Sequence, residues 1–348
     1  MVFLILFMAD LTRVAAWFGS CMIRGMDVIV STDVVARTVL GEVPIEKLGV
    51  ALPHEHVIHR ISIHSGKADN TMVDVALLAE ELRQFKAAGG GTICDVTPMN
   101  VGRDPAALRE VSRLSGVHIV SALGLYQLDV WTADMLAMSR AELADFLIRE
   151  SQGAFSGVAA GFLGEIASHN EPEHADWRKY RLTEKEVEVF EAVADAQRAT
   201  GLWISTHASH GRHGVAQLRC LADAGADTSR VVVGHCDSQH HDDPTLDFDY
   251  YNELLKFGAM LEFDMFGWVE ETGPDEVRCE RIAELVRQGH TDRILLSTDT
   301  CRLSQLRRNG GRGYDYLFTH VLPGLRRAGV GEDDLQTMTV TNPARILT

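Results

Sequence analysis

The sequence predicts an α/β fold in which eight parallel strands close into a (β/α)8 barrel, the TIM-barrel architecture. Eight apolar runs of strand length are spread over residues 49–300. Segments of helical periodicity lie between most of them. The runs are close to continuously apolar, as strands buried on both faces must be. An open doubly wound sheet is the competing architecture, and the lack of a glycine-rich phosphate loop after the first strand counts against it.

The elements follow in order. "GVALPH" (49–54) reads as the first strand. "DVALLAEELRQFKAAGGG" (74–91) has apolar residues at helical spacing and stops at a glycine cluster, as a helix C-terminus does. "GTICDV" (91–96), "VHIVSALG" (117–124) and "GVAAGFLGEI" (157–166) read as strands two to four. "TEKEVEVFEAVADAQRATG" (183–201) opens on Thr183 and Glu186, a capping-box pair, and closes on Gly201. "LWISTHAS" (202–209), "VVVGHCD" (231–237) and "GAMLEFDMF" (258–266) supply strands five to seven. "DEVRCERIAELVRQG" (275–289) is a further helix, before the eighth strand "RILLSTDT" (293–300).

At 348 residues, 46% apolar and 24% charged, the chain is ordinary for a globular protein with a sizeable core. A net charge of −16 argues against nucleic acid as a partner. Cys21, Cys94, Cys220, Cys236, Cys279 and Cys301 occur singly, with no C-x-x-C pair. That excludes a zinc ribbon and a thioredoxin-type site and fits a reducing compartment, the cytoplasm. The apolar start "MVFLILFMADLTRVAAWFGSCMIRGMDVIV" lacks a basic leading region, and Asp10 and Arg13 interrupt it too early for a membrane span. Residues 1–35 are expected to be an N-terminal extension, read first as an over-extended start with Met22 or Met26 as the natural one. An amphipathic appendage and an export signal are the other readings. Residues 36–348 are expected to form a single barrel domain.

A barrel places catalytic residues at the C-terminal ends of its strands. His54, Glu55 and His56 end the first strand, Glu165 the fourth, His207 the fifth, His235 the sixth and Asp299 the eighth. Leaving out Glu55, six nitrogen and oxygen ligand types therefore fall at five strand ends on one face. His54 and His56, two apart, point to the same side, and Glu55 between them points into the wall. Four histidines and two carboxylates exceed the needs of one tetrahedral ion and suit two divalent ions about 3.5–4 Å apart. Imidazole ligands favour zinc, with manganese, cobalt or iron(II) as alternatives.

"LPHEH", "GEI", "STHAS", "VVVGHCD", "LLSTDT", "NGGRGYDYLFTHVLP" and "TNPARIL" together resemble the phosphotriesterase family of the amidohydrolase superfamily, from about residue 36 to the end. The chain is most similar to the phosphotriesterase-homology branch, in which a glutamate replaces the carboxylated lysine that bridges the metals. The resemblance implies that His54, His56 and Asp299 hold the buried ion, and His207 and His235 the exposed one. It implies that Glu165 and a hydroxide bridge the two, with Asp299 taking the proton during attack. It also implies a metal-dependent hydrolase of a small lactone, carboxyl ester or related carbonyl or phosphoryl substrate, working as a homodimer without a membrane. Organophosphate triesters and N-acyl amides are alternative substrates. A TatD-like metal nuclease and a non-catalytic metal-binding scaffold are alternative functions.

Other residues are weighed against blander roles. Arg302 at the mouth is expected either to clamp a substrate anion or to pair with a surface acid. Tyr126 and Trp268 line the pocket or pack the rim. Asp237, two residues after His235, is expected to face the same side, contacting substrate or orienting a ligand. His59, His64, His169, His174 and His290 are read as surface or loop residues. His210 and His213 are read as loop contacts, and His240 and His241 as a solvated loop that could touch substrate. Cys236 and Cys301 are expected to face away from the metals. The tyrosines of "NGGRGYDYLF" (309–318) are expected to pack the last helix on the barrel.

Overall fold

A computed structural model describes residues 34–169, 176–208, 213–238 and 244–348. The expected N-terminal extension lies, up to residue 33, outside the described residues, as do His174, His210, His240 and His241. Eight barrel strands follow one another: β1 Val50–Glu55, β2 Gly90–Asp95, β3 His118–Ser121, β4 Leu163–Ala167, β5 Ile204–His207, β6 Val231–Val233, β7 Met260–Phe263 and β8 Ile294–Leu296. Between them run α1 Val75–Ala87, α2 Pro105–Ser115, α3 Arg140–Ser151, α4 Glu184–Thr200, α5 Gly214–Asp223, α6 Pro244–Lys256 and α7 Asp275–Arg287, and α8 Leu322–Arg327 follows β8. An antiparallel hairpin, Val35–Thr38 with Gly41–Pro44, precedes the barrel.

All barrel pairings are parallel. β1, β2 and β3 form one run, and Leu123–Leu125 with β4 to β8 form the other. The chain itself joins the runs, passing from β3 through Ala122 into Leu123. The other seam, between β8 and β1, is closed by hydrogen bonds. Asp299 N donates to His54 O and His56 N to Thr300 O, both at 3.3 Å. Ser297 Oγ donates to His54 O at 2.8 Å and accepts from His54 N at 3.0 Å. The cylinder is therefore complete, as the eight-strand pattern predicts.

Alternate strand residues separate two cores. Cys94, Val120, Val232, Met260 and Leu295 fill the barrel with Trp203, Ile346 and Leu347. Their neighbours Ile93, Ile119, Val231, Val233, Leu261 and Leu296 pack outward with helix residues such as Leu82, Val111 and Leu218. The capping box expected at Thr183 and Glu186 forms, and Gly201 ends α4 in a left-handed conformation at φ 72°.

Two expectations shift. The fourth strand, expected from residue 157, starts only at Leu163, because Gly153 and Gly157 take φ of 77° and 72° and turn the chain. The sixth and eighth strands end early, at Val233 and Leu296. His235 and Asp299 then adopt left-handed backbone, at φ 55° and 45°. Among the described residues no helix is long and apolar enough to cross a membrane.

Candidate metal centre

The six strand-end residues converge. Glu165 lies at the middle: its Oε2 is 2.8 Å from His207 Nδ1, 3.6 Å from His54 Nε2 and 3.8 Å from His235 Nε2, and its Oε1 is 3.7 Å from His56 Nε2. Asp299 Oδ1 lies 3.4 Å from His56 Nε2 and 4.0 Å from His54 Nε2. Two ligand-type groups result, His54–His56–Glu165 and Glu165–His207–His235, with Glu165 in both. Close backbone approach puts Glu165 there: a Cβ on Gly124 would sit 2.4 Å from Glu165 O and 2.5 Å from Glu165 N.

The imidazoles are aimed from behind. His54 Nδ1 meets Glu262 Oε2 at 3.0 Å and Asp264 Oδ2 at 3.2 Å, and His235 Nδ1 meets Asp264 Oδ1 at 2.9 Å. Ionised carboxylates can only accept, so Nδ1 carries a proton in both rings and Nε2 faces the centre, where a bound ion would displace any second proton. His56 Nδ1 is held by Thr97 Oγ1 at 3.0 Å. A third group, His54–His235–Asp264, also has ligand-type spacing. There the imidazole N–H groups are already bonded to Asp264, so it supports the other two rather than holding an ion.

The electrostatics ask for a cation. Burial pushes His54 and His56 down, yet the surrounding carboxylates, Asp264 and Glu262 for His54 and Asp299 and Glu165 for His56, more than offset it. Burial likewise opposes the rise of His235, which Asp264 carries up to about 9. Burial works against ionised Glu165 and Asp299, but neighbouring imidazoles, His207 first for Glu165 and His56 first for Asp299, hold both carboxyls below the usual range. His207 is the exception, held below the usual range by burial and by His235. A pocket that draws protons onto three of its four histidines is one that favours metal cations. Among the described residues, His54 Nε2 and Asp299 Oδ1 are buried without a hydrogen-bond partner. Each such orphan costs about 1–3 kcal/mol, and a divalent ion would satisfy both. The residues present thus fit a divalent metal site.

The remaining expected residues divide. Tyr126 stands with its ring 5.2 Å from that of His207. Trp268, 7% exposed, packs with Ile61, Val101, Met265 and Cys301, and Tyr126 lies against this cluster, giving the centre one apolar wall. Arg302 stacks 4.2 Å over Trp268 and pairs with Glu271 at 2.5 Å, the acid partner weighed for it. Tyr314 is buried and its hydroxyl donates to His56 O at 2.8 Å, tying the following loop to the site. His213, stacked on Tyr180 at 3.7 Å, is a loop contact.

Asp237 is not placed to touch substrate. It is fully buried, and its carboxylate accepts from Asp264 N, Met265 N and Arg278 Nε. Strict alternation fails because the strand ends at Val233 and His235 turns left-handed. Burial, with the like charge of Asp264, pushes Asp237 up to about 7 against the pull of Arg278. His59 is also not a surface residue. It is fully buried, pinned in a two-residue ladder with Met72, its ring 5.7 Å from that of His56.

Glu55 faces away from the centre, as expected, but is far from idle. It accepts hydrogen bonds of 2.7–2.8 Å from Ser297 Oγ, Thr298 N, Thr298 Oγ1 and Thr300 N, stapling the β8 end to β1. Sequence reasoning missed Asp95, whose carboxylate accepts from Val57 N, Ile58 N and Thr97 N and so fixes the turn after His56, and also Glu262, Asp264 and Arg278. A signal existed for three of them: Asp95, Glu262 and Asp264 are charged residues inside otherwise apolar strand runs.

Comparison with known proteins accords with this geometry. The sequence profile of the phosphotriesterase family matches residues 35–347. The phosphotriesterase homology protein of Escherichia coli is 32% identical over 299 residues, covering 85% of this chain and 97% of that protein. The human N-acetyltaurine hydrolase is 30% identical over 354 residues, covering 90% and 97%. A mutant of a phosphotriesterase-like lactonase from Deinococcus radiodurans superposes with a TM-score of 0.76 at 32% identity, over 90% of this chain and all of the other. With a closed barrel, a divalent-metal site at its strand ends and these relatives, the chain belongs to the phosphotriesterase family and is a metal-dependent hydrolase.

Proposed function

We propose that the chain hydrolyses a small carbonyl substrate, a lactone or carboxyl ester, at a two-metal centre. His54, His56 and Asp299 would hold one ion, His207 and His235 the other, and Glu165 would serve both. The observation that carries this reading is the position of Glu165, whose two oxygens lie within 3.8 Å of nitrogen atoms from four histidines. Divalent ions so held supply Lewis-acid polarisation of the carbonyl oxygen and a water acidic enough to attack near neutral pH; zinc suits the imidazole-rich donor set.

The chain's own residues do the rest. Asp299 Oδ1 faces His54 and His56, which leaves Oδ2 to take the proton of the attacking water and return it to the leaving oxygen. Its depressed pKa keeps it an acceptor at neutral pH. Tyr126, Trp268 and Met265 offer the alkyl part of a substrate an apolar surface.

A second reading is favoured by Arg302. Its half-exposed guanidinium beside the apolar wall suits an N-acyl amide that ends in an anion, and relatives such as the human protein are named N-acetyltaurine hydrolases. Zinc- or manganese-loaded protein assayed against lactones, carboxyl esters, N-acyl amino acids, N-acetyltaurine and organophosphates separates the readings. Lactone or ester turnover supports the first, and turnover confined to anionic amides the second. Failure on every class at full metal loading would exclude both.

A further inference from the structure

Behind the centre, on the helix layer, one arginine is wholly enclosed. Arg278, in the first turn of α7, has no exposed surface, and its fork reaches three segments at once. Nε donates to Asp237 Oδ2 at 2.9 Å. Nη1 donates to Gly273 O at 2.6 Å and to Asp275 Oδ1 at 3.2 Å. Nη2 donates to Thr272 O at 3.1 Å and also meets Thr272 Oγ1 and Asp237 O. All the guanidinium's donor groups are engaged, which a three-donor ammonium could not reproduce.

Asp237 passes this anchoring inward. Its oxygens accept from Asp264 N at 3.1 Å and from Met265 N at 3.1 Å, fixing the turn that ends β7. Asp264 in turn holds His235 twice, through the ring at 2.9 Å and through the backbone N–H at 2.9 Å. His54 also touches Asp264 but has Glu262 as an independent support. The chain Arg278–Asp237–Asp264 is thus the main support of His235 and only half of that of His54. Through Thr272 and Gly273, Arg278 also secures the short helix Val269–Thr272, which begins at the wall residue Trp268.

We propose that Arg278 is a positioning residue for the metal centre: acting through Asp237 and Asp264, it sets the aim of His235 and so the strength of the ion position that His235 shares with His207. This rests on the two-metal reading above.

Stepwise zinc binding, followed by chelator competition, tests it on the parent, R278K, D237N and the double variant, beside the thermal midpoint of each metal-free protein. R278K keeps the charge and loses the fork; D237N keeps the shape and loses the acceptor charge. Each single change is expected to weaken one of two zinc sites about 10- to 100-fold, the size of effect seen when a support of a ligating histidine is removed. The other site should stay within about threefold, and the double variant should be no weaker than the weaker single one. Parental affinity at both sites in R278K and D237N would overturn the proposal, as would equal weakening of both sites in step with a fallen midpoint, the mark of a merely structural arginine. If R278K fails to fold, D237N carries the same test. A parent binding fewer than two zinc ions sinks the two-metal reading and this proposal with it; two ions in the parent and unaltered variants sink this proposal alone.

Discussion

Glu165→Gln is the substitution with the most at stake. The carboxylate contacts both ligand groups, so each ion position loses an anionic oxygen while the side chain keeps its length. A four-ligand zinc site yields about 10–16 kcal/mol, or roughly 2.5–4 kcal/mol per ligand. At about 1.4 kcal/mol per decade this is two to three decades of affinity. The amide oxygen of glutamine remains a weak donor, so the lower end, about 100-fold, is expected. It should fall most on the His207–His235 position, whose closest carboxylate contact is Glu165 Oε2 at 2.8 Å from His207. Equilibrium dialysis at fixed free zinc, with metal content read by mass spectrometry, is the assay, and near-ultraviolet circular dichroism confirms the fold. The variant should hold about one ion where the parent holds two. Two ions at parental affinity would refute the shared-carboxylate reasoning.

Asp299→Asn should lower turnover by about 100- to 10,000-fold while metal content falls far less; turnover equal to the parent's removes Asp299 as proton acceptor. Glu262→Gln leaves an acceptor oxygen beside His54 Nδ1 and leaves Asp264 in place, so zinc affinity should drop only about tenfold, read by chelator competition. Gly124→Ala should displace the Glu165 backbone, against which the new Cβ would stand at 2.4 Å, and reduce both metal content and thermal midpoint. The metal-free protein should lose stability between pH 6.5 and about 9 in chemical denaturation. His235 has a folded pKa raised from 6.5 to about 9, so its contribution is complete below 6.5 and disappears as pH rises through 9. The shift corresponds to a loss on the order of 3 kcal/mol. His54 and His56, also raised, add losses of the same sign, while the depressed His207 and His59 do not oppose them above pH 6.5. A flat profile over that window contradicts the charge arrangement described.

The six converging residues were legible because a barrel collects its strand ends on one face, so order along the chain sufficed to gather them. What lies behind them was not. Glu262 sits within β7 and turns inward only because Met260, two residues before, does so. Arg278 reads as one more charge on an amphipathic helix, although it shares a face with Arg281, Ile282 and Leu285, all buried. Asp237 was misplaced for a different reason: alternation applies to strand backbone, and the chain leaves it at Val233, so of the roles weighed only orienting a ligand, through Asp264, fits its contacts. His59 was hidden by its surroundings, since "VIHRISIHS" shows no sign that a two-residue ladder will enclose it.

The left-handed backbone at His235 and Asp299 has a consequence for engineering. Aspartate and histidine tolerate that region better than most residues, yet a non-glycine side chain there still costs up to about 1–2 kcal/mol. The two positions are where the chain gives up folding stability for aim. Glycine at either should abolish function and yet leave a metal-free barrel harder to melt than alanine at the same place. The centre is therefore a source of tension in the empty fold, and bound ions act as its fasteners. A search for tougher variants of this enzyme that selects on melting temperature alone, without metal, will tend to erode these two residues first.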